Sequence, residues 1–198
     1  MKLAPAITLL LPLILVTTAC GSSMNAPDIK QNAHPKMRYE ITMVMEDSPG
    51  SFDSVTGFMQ YDVTNEHCAP FEKLAGVYHT PPGQNPSIAF TRIGDSKYMG
   101  IVYLDLLQDE DYYGLGICHW SMVAAIARLK FQEVTFSPHI LQDQIVSQQS
   151  ITLYFPKKAY GNASLRDSSD GGSTMSDIVA RHRDEFFSVT LSAKEGFE

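Results

Sequence analysis

Two cysteines in the middle of the chain, Cys68 and Cys118, are the side chains best suited to do chemistry, and each has a histidine beside it. Thiolate and imidazole groups bind zinc, so His67-Cys68 and Cys118-His119 together suggest a metal site. Adjacent side chains on a strand point to opposite faces, however, so a neighbouring His and Cys rarely converge on one ion. An even pair of cysteines in an oxidising compartment most simply forms a disulfide. We therefore expect a disulfide, with a metal site as the alternative.

The sequence lacks the common catalytic motifs. It contains no Gly-x-Ser-x-Gly nucleophile elbow, no His-Glu-x-x-His zinc motif and no glycine-rich phosphate loop. A disulfide would also leave neither internal cysteine free to act as a nucleophile. The sequence therefore predicts a protein that is not an enzyme and that has no catalytic residue, no cofactor and no bound metal.

A short acidic run, Asp109-Glu110-Asp111, is followed directly by Tyr112-Tyr113. Carboxylate oxygens bind calcium, but this run lacks the spacing of a known calcium loop and is more typical of a solvated surface loop. Tyrosines in a surface loop often anchor protein interfaces. These five residues are the predicted contact site for a protein partner, and packing of the tyrosines within the fold is the alternative.

The N-terminal segment has the three parts of a secretory signal: Lys2, an uncharged apolar stretch over residues 4–16, and small residues before a break. The apolar stretch is about 13 residues long, whereas a membrane-spanning helix needs roughly 20. The sequence therefore predicts an exported protein whose leader, residues 1–19, is removed.

The residues around the expected cleavage point, Thr18-Ala19-Cys20-Gly21, resemble the lipobox of bacterial lipoproteins. The resemblance implies that acyl chains such as palmitate are attached to Cys20 and hold the protein on a membrane. It is incomplete, because a threonine stands three positions before the cysteine where the pattern favours leucine. Ser22 lies where an aspartate would resemble an inner-membrane retention signal, so we expect the inner leaflet of the outer membrane, facing the periplasm.

The residues after Cys20 predict a lipid-anchored tether over 20–36, followed by a single β-rich domain over 37–198. The tether is rich in Ser, Asn, Gln and Pro and has almost nothing to bury. The full chain has a net charge of −7, and removal of Lys2 with the leader would leave −8. This charge excludes a nucleic-acid binder, which needs a basic face.

Alternating apolar and polar residues predict strands over 38–46, 55–63, 88–92, 98–106, 150–155 and 186–192, and a further extended segment is expected over 134–138. Turn residues predict that the first two strands pair as a hairpin, and that the next two do so as well. Helix propensity favours a helix over 121–131, with a buried strand as the alternative, and a short helix is expected over 176–183. About seven strands and one or two short helices predict an antiparallel β-sandwich or open barrel.

The combination of a tether, one disulfide and an acidic surface is typical of a binding module. The chain resembles bacterial lipoproteins that serve as immunity partners of secreted antibacterial effectors, and the resemblance implies that loops 107–114 or 156–176 plug an effector's cleft. The alternatives are an envelope-maintenance structural lipoprotein that binds another envelope component, and a carrier of a small ligand. The features that carry the resemblance are the lipobox at Cys20, the strand over 39–45, the segment 115–120 paired with Cys68, and the strand over 186–192.

Replacing Cys20 with alanine removes the predicted acylation site, so the variant should be a soluble or uncleaved species. The physical reason is that each buried methylene of an acyl chain contributes about 0.8 kcal/mol to membrane attachment. Detergent phase partitioning measures the effect: the wild type should enter the detergent phase and Cys20→Ala should not. Equal partitioning of the two proteins would contradict the lipid anchor.

Overall fold

The computed structural model describes residues 27–165 and 168–196. The predicted leader, Cys20 and the first part of the predicted tether lie outside these residues. The described chain forms thirteen strands and two short α-helices. In chain order these are β1 (Arg38–Glu46), β2 (Ser54–Val63), β3 (Phe71–Glu72), β4 (Val77–Tyr78), β5 (Ser87–Ile88), β6 (Thr91–Gly94), β7 (Lys97–Tyr103), β8 (Trp120–Phe131), β9 (Val134–Phe136), β10 (His139–Leu141), α1 (Gln142–Val146), β11 (Ile151–Pro156), β12 (Ser169–Asp170), α2 (Asp177–Arg181) and β13 (Phe186–Glu195).

Two sheets form the body of the protein, and their strands are almost all antiparallel. The first sheet has the order β11-β13-β1-β7-β6, and the second has the order β12-β9-β8-β2-β5, with β10 also paired to β8. Only the short β12–β9 pair is parallel among the described strand pairs. The structure therefore confirms the predicted fold class, a mainly antiparallel β protein of the sandwich type.

The core lies between the two sheets, because each sheet has one apolar face. β1 alternates as the sequence predicts, with Tyr39, Ile41, Met43 and Met45 buried and the residues between them at the surface. In β13, Phe187, Val189 and Leu191 are also buried as predicted. One hydrophobic cluster contains these side chains together with Met59, Tyr61 and Leu129 of the second sheet.

The predicted hairpin between the first two strands is wrong. β1 lies between β13 and β7 in the first sheet, whereas β2 lies between β8 and β5 in the second. The turn that joins them therefore crosses from one sheet to the other, and Phe52 within it contacts the core residues Phe136 and Phe187 at ring separations of 6.0 and 6.2 Å. The turn residues predicted a reversal of the chain correctly, but a reversal does not specify which strands pair.

The second predicted hairpin is confirmed in part, since β6 pairs antiparallel with β7. The strand predicted over 88–92 is two strands in the structure, because β5 pairs with β2 in the opposite sheet while β6 pairs with β7. The helix favoured over 121–131 is wrong: these residues belong to β8, which pairs with β2 along its length. Ala124, Ala125 and Ala127 are buried there, so tertiary packing overrides the helix propensity of alanine.

The short helix predicted near residue 176 is confirmed as α2, and the Ser176 hydroxyl accepts a hydrogen bond from the backbone N–H of Val179 at 3.4 Å. The strand predicted over 150–155 is confirmed as β11, with Leu153 and Phe155 buried.

Replacing Phe136 with alanine should lower the free energy of unfolding by about 3–5 kcal/mol, because a buried aromatic ring is lost and a cavity is left. Phe136 is fully buried and contacts Phe155 and Phe187 edge-on. The measurement is urea unfolding. Phe71→Ala is the matched control, because that ring is half-exposed and its loss should cost less than about 1 kcal/mol. Similar losses for the two variants would contradict the described core.

Candidate functional site

A disulfide between Cys68 and Cys118 closes one end of the sandwich, which confirms the predicted pair. It joins the 3-10 turn Glu66–Cys68, which follows β2, to the segment that precedes β8. Because the disulfide uses both sulfurs, neither cysteine offers a thiolate to a metal ion. The neighbouring histidines also lie apart: the His67 ring is 4.8 Å from the Tyr78 ring, while His119 bonds to an aspartate of the acidic run.

The same two segments are also joined by hydrogen bonds. The Asn65 side chain donates to the backbone oxygen of Ile117 at 2.8 Å and accepts from the backbone N–H of His119 at 2.7 Å. The backbone N–H of Thr64 donates to the His119 oxygen at 2.9 Å. We call residues 63–79 and 108–120 the disulfide-locked end.

Two of the predicted partner-binding carboxylates hold this end together. Asp109 accepts a hydrogen bond from the backbone N–H of Trp120 at 2.8 Å and contacts His119 Nδ1 at 2.7 Å. Asp111 accepts from the backbone N–H groups of Leu115 and Gly116 at 3.0 and 3.2 Å. Both side chains therefore have a structural role, which charge composition alone does not indicate.

Glu110 connects the disulfide-locked end to the N-terminal part of the described chain. One of its carboxylate oxygens lies 2.7 Å from the ammonium group of Lys30, and this hydrogen bond and charge raise the pKa of Lys30 above its ordinary value. Its backbone oxygen accepts from the N–H of Cys118 at 2.9 Å. Glu110 thus contacts both the N-terminal segment and the disulfide.

The two predicted tyrosines pack within the protein. The Tyr112 hydroxyl donates to the backbone oxygen of Gln108 at 2.7 Å, and its ring meets Trp120 edge-on at 6.5 Å. Tyr113 packs against the buried pair of cysteines, and this partial burial raises the pKa of its phenol. The arrangement corresponds to the packing alternative for these rings, while a contact of residues 109–113 with a partner stays a prediction.

The disulfide-locked end exposes several large apolar side chains that sequence reasoning missed. Leu74, between β3 and β4, is 98% exposed. Four further apolar side chains at this end are each about half exposed: Phe71, Val77, Leu115 and Ile117. The sequence signal was weak, because β3 and β4 have two residues each and lie in a stretch rich in proline and glycine. Strands this short show no periodicity.

Residues 27–37, which we call the N-terminal strap, lie along the chain segment that follows β7. The backbone N–H of Asn32 donates to Leu106 at 2.7 Å, and that of Gln108 donates to Lys30 at 3.0 Å. The Asp105 carboxylate accepts two further bonds, from the N–H groups of Lys36 and Met37 at 2.9 and 3.0 Å. This part of the predicted tether is therefore bound to the domain.

Two open surface grooves bear on the small-ligand alternative. One, of about 500 Å³, lies beside α2 and is lined by Lys157, Lys158, His182, Asp184 and Glu185 among others. The other, of about 470 Å³, lies between the N-terminal strap and the start of β8. Neither groove is an enclosed apolar cavity of the kind that holds a hydrophobic ligand.

Comparisons with known proteins do not assign the chain to a group: no family model matches it, and no curated protein or solved structure is significantly similar to it. Within residues 27–165 and 168–196, no three His, Cys, Asp or Glu side chains are grouped so that they could hold a metal ion. In the same part of the chain, no helix has the length and apolar character needed to cross a membrane.

Replacing Cys68 with serine should lower the free energy of unfolding by about 4 kcal/mol, because the disulfide closes a loop of 50 residues and so restricts the unfolded chain. Urea unfolding of the variant and of the oxidised wild type measures the difference. The wild type in the presence of reductant is the control and should match the variant. Two free thiols in the unreduced wild type would contradict the disulfide.

Proposed function

We propose that the protein is a lipid-anchored periplasmic binding protein, an immunity or inhibitor lipoprotein that neutralises a secreted effector by docking on it. The observation that carries the proposal is the set of five exposed apolar side chains on the disulfide-locked end. Phe71, Leu74 and Val77 lie on the β3–β4 hairpin, and Leu115 and Ile117 lie on the segment that the disulfide joins to the turn before this hairpin. Single apolar residues at a surface are ordinary, but several of them at one end of a domain indicate an interaction site.

The rigidity of this end supports binding. The disulfide and the Asn65 side chain fix the two segments against each other, and the Phe71 and Tyr78 rings lie 4.8 Å apart across the short hairpin formed by β3 and β4. A surface that is already ordered loses less conformational entropy on association than a flexible one. Leu74 at the tip of this hairpin is suited to enter a pocket on a partner.

The charge of the same end supports a partner of opposite sign. Glu66, Glu72, Asp109 and Asp111 lie on it, whereas Lys73 is its only lysine or arginine. Asp109 and Asp111 remain sources of negative potential although their oxygens bond to the backbone. Acidic groups around an apolar centre favour a basic protein surface and accelerate the encounter with it. The partner is therefore a protein with an apolar pocket surrounded by basic residues.

Neutralisation requires only that the partner's working surface is covered, so it needs no catalytic group on this chain. An envelope-maintenance protein would use the same surface on a structural component of the envelope. The two functions differ in the partner's identity, which a test in cells can determine.

The test co-produces the protein with each secreted protein encoded by the genes next to its own, identifies as an effector one whose production alone stops growth, and measures growth. Leu74→Asp and Ile117→Asp should each weaken binding by at least about tenfold, roughly 1.4 kcal/mol, because a charge enters the apolar centre of the interface. Protection against the effector should fall accordingly. Ile178→Asp is the matched control: Ile178 is 63% exposed and lies in α2, so this variant should protect as the wild type does.

Full protection by both disulfide-locked-end variants would contradict the docking surface. Crosslinking of residue 74 to a structural envelope component alone, with no effector bound, would favour the envelope-maintenance function instead.

A further inference from the structure

The N-terminal strap determines where the chain leaves the folded domain. It runs antiparallel to the segment after β7, since Asn32 bonds to Leu106 and Lys30 bonds to Gln108. The earlier residues of the strap therefore lie beside the later residues of the other segment. The Lys30 ammonium accordingly contacts Glu110 at 2.7 Å. The described chain thus begins beside the disulfide-locked end.

The distance from this point to the predicted lipid is short. Only seven peptide steps separate residue 20 from residue 27, and a fully extended chain covers at most about 3.6 Å per residue, or about 25 Å in all. Composition alone predicts a tether up to residue 36, but the hydrogen bonds of the strap remove residues 27–37 from the free length.

The opposite end of the sandwich is much farther from the anchor. The turn after β1 leads into β2, and β2 ends at the disulfide-locked end, so this turn lies one strand length away. A strand of nine residues such as β1 spans roughly 30 Å. α2 precedes the start of β13, which pairs with the last residues of β1, so Ile178 lies at this distant end.

We infer that the disulfide-locked end faces the bilayer and takes a partner that works at the membrane surface: a basic protein bound to or acting on the lipid leaflet. The inference rests on the proposed function and on acylation of Cys20. The strap begins beside the docking surface, and residue 27 lies at most about 25 Å from the anchor, so a partner at the membrane surface is nearer to the docking surface than a protein that stays farther out in the compartment. The acidic groups at this end favour a basic protein over the lipid surface itself, because anionic headgroups would repel them.

The experiment uses the acylated full-length mature protein in phosphatidylethanolamine vesicles that carry a headgroup dye as energy acceptor. Leu74→Cys and Ile178→Cys are each labelled with an environment-sensitive donor. The disulfide occupies Cys68 and Cys118 and acylation occupies Cys20, so the new thiol is the single reactive one. Energy transfer from position 74 should be several-fold higher than from position 178, and the emission at 74 should stay that of a dye in water.

A third protein carries an insertion of about 20 Gly and Ser residues after Asn25, which adds roughly 70 Å to the maximum reach. Its label at position 74 should lose most of the energy transfer, because the orientation depends on the short free length. Unchanged transfer in this protein, or equal transfer from positions 74 and 178 in the original length, would overturn the orientation.

An emission shift to that of hydrocarbon at position 74, in vesicles without any other protein, would show that the bilayer itself covers the surface and would overturn the assigned partner class. These results are separable from those of the growth test. A protein that loses effector binding through Leu74→Asp but shows no preferred orientation retains the proposed function and contradicts only this inference.

Discussion

The covalent link between Cys68 and Cys118 is the constraint on which the exposed end of the molecule depends. The two sheets are held by a large shared core, but the disulfide-locked end has only a small one. It consists of the two cysteines and Ala69, with Val63, Tyr112 and Tyr113 packed against them. So small a cluster provides little hydrophobic stabilisation. The position of the β3–β4 hairpin relative to the segment before β8 therefore depends on the disulfide and on the few hydrogen bonds around it.

Much of the fold follows from the sequence, because one face of each long strand is buried. The alternation in β1, β11 and β13 predicts both the strands and their buried side chains. The same pattern contains no information about which strands are neighbours, and this is why β1 and β2 are in different sheets although a turn joins them. The alanines of β8 illustrate a second limit: their propensity favours a helix, and only the tertiary packing against β2 makes a strand the better solution.

The candidate site is less predictable than the fold. The presence of two cysteines in the predicted domain predicts the disulfide, and the run of acidic residues predicts an acidic surface loop. Neither predicts that Asp109 and Asp111 accept hydrogen bonds from backbone groups several residues further along. The exposed apolar residues of the hairpin are harder still to foresee, since β3 and β4 are too short to show a pattern. The docked strap was also missed, because its polar composition is the same as that of a free tether.

Amide hydrogen exchange of the oxidised and the reduced protein tests most directly whether the order of the exposed end depends on the disulfide. Reduction should accelerate exchange most strongly at the Gly76, Leu115 and Gly116 amides, which bond only within this end. Reduction also lowers the free energy of global unfolding, so the amides of β1 and β13 should exchange faster than in the oxidised protein but remain protected, since the shared core stays folded. Loss of all protection throughout both sheets, or no change at the amides of Gly76, Leu115 and Gly116, would contradict this dependence on the disulfide.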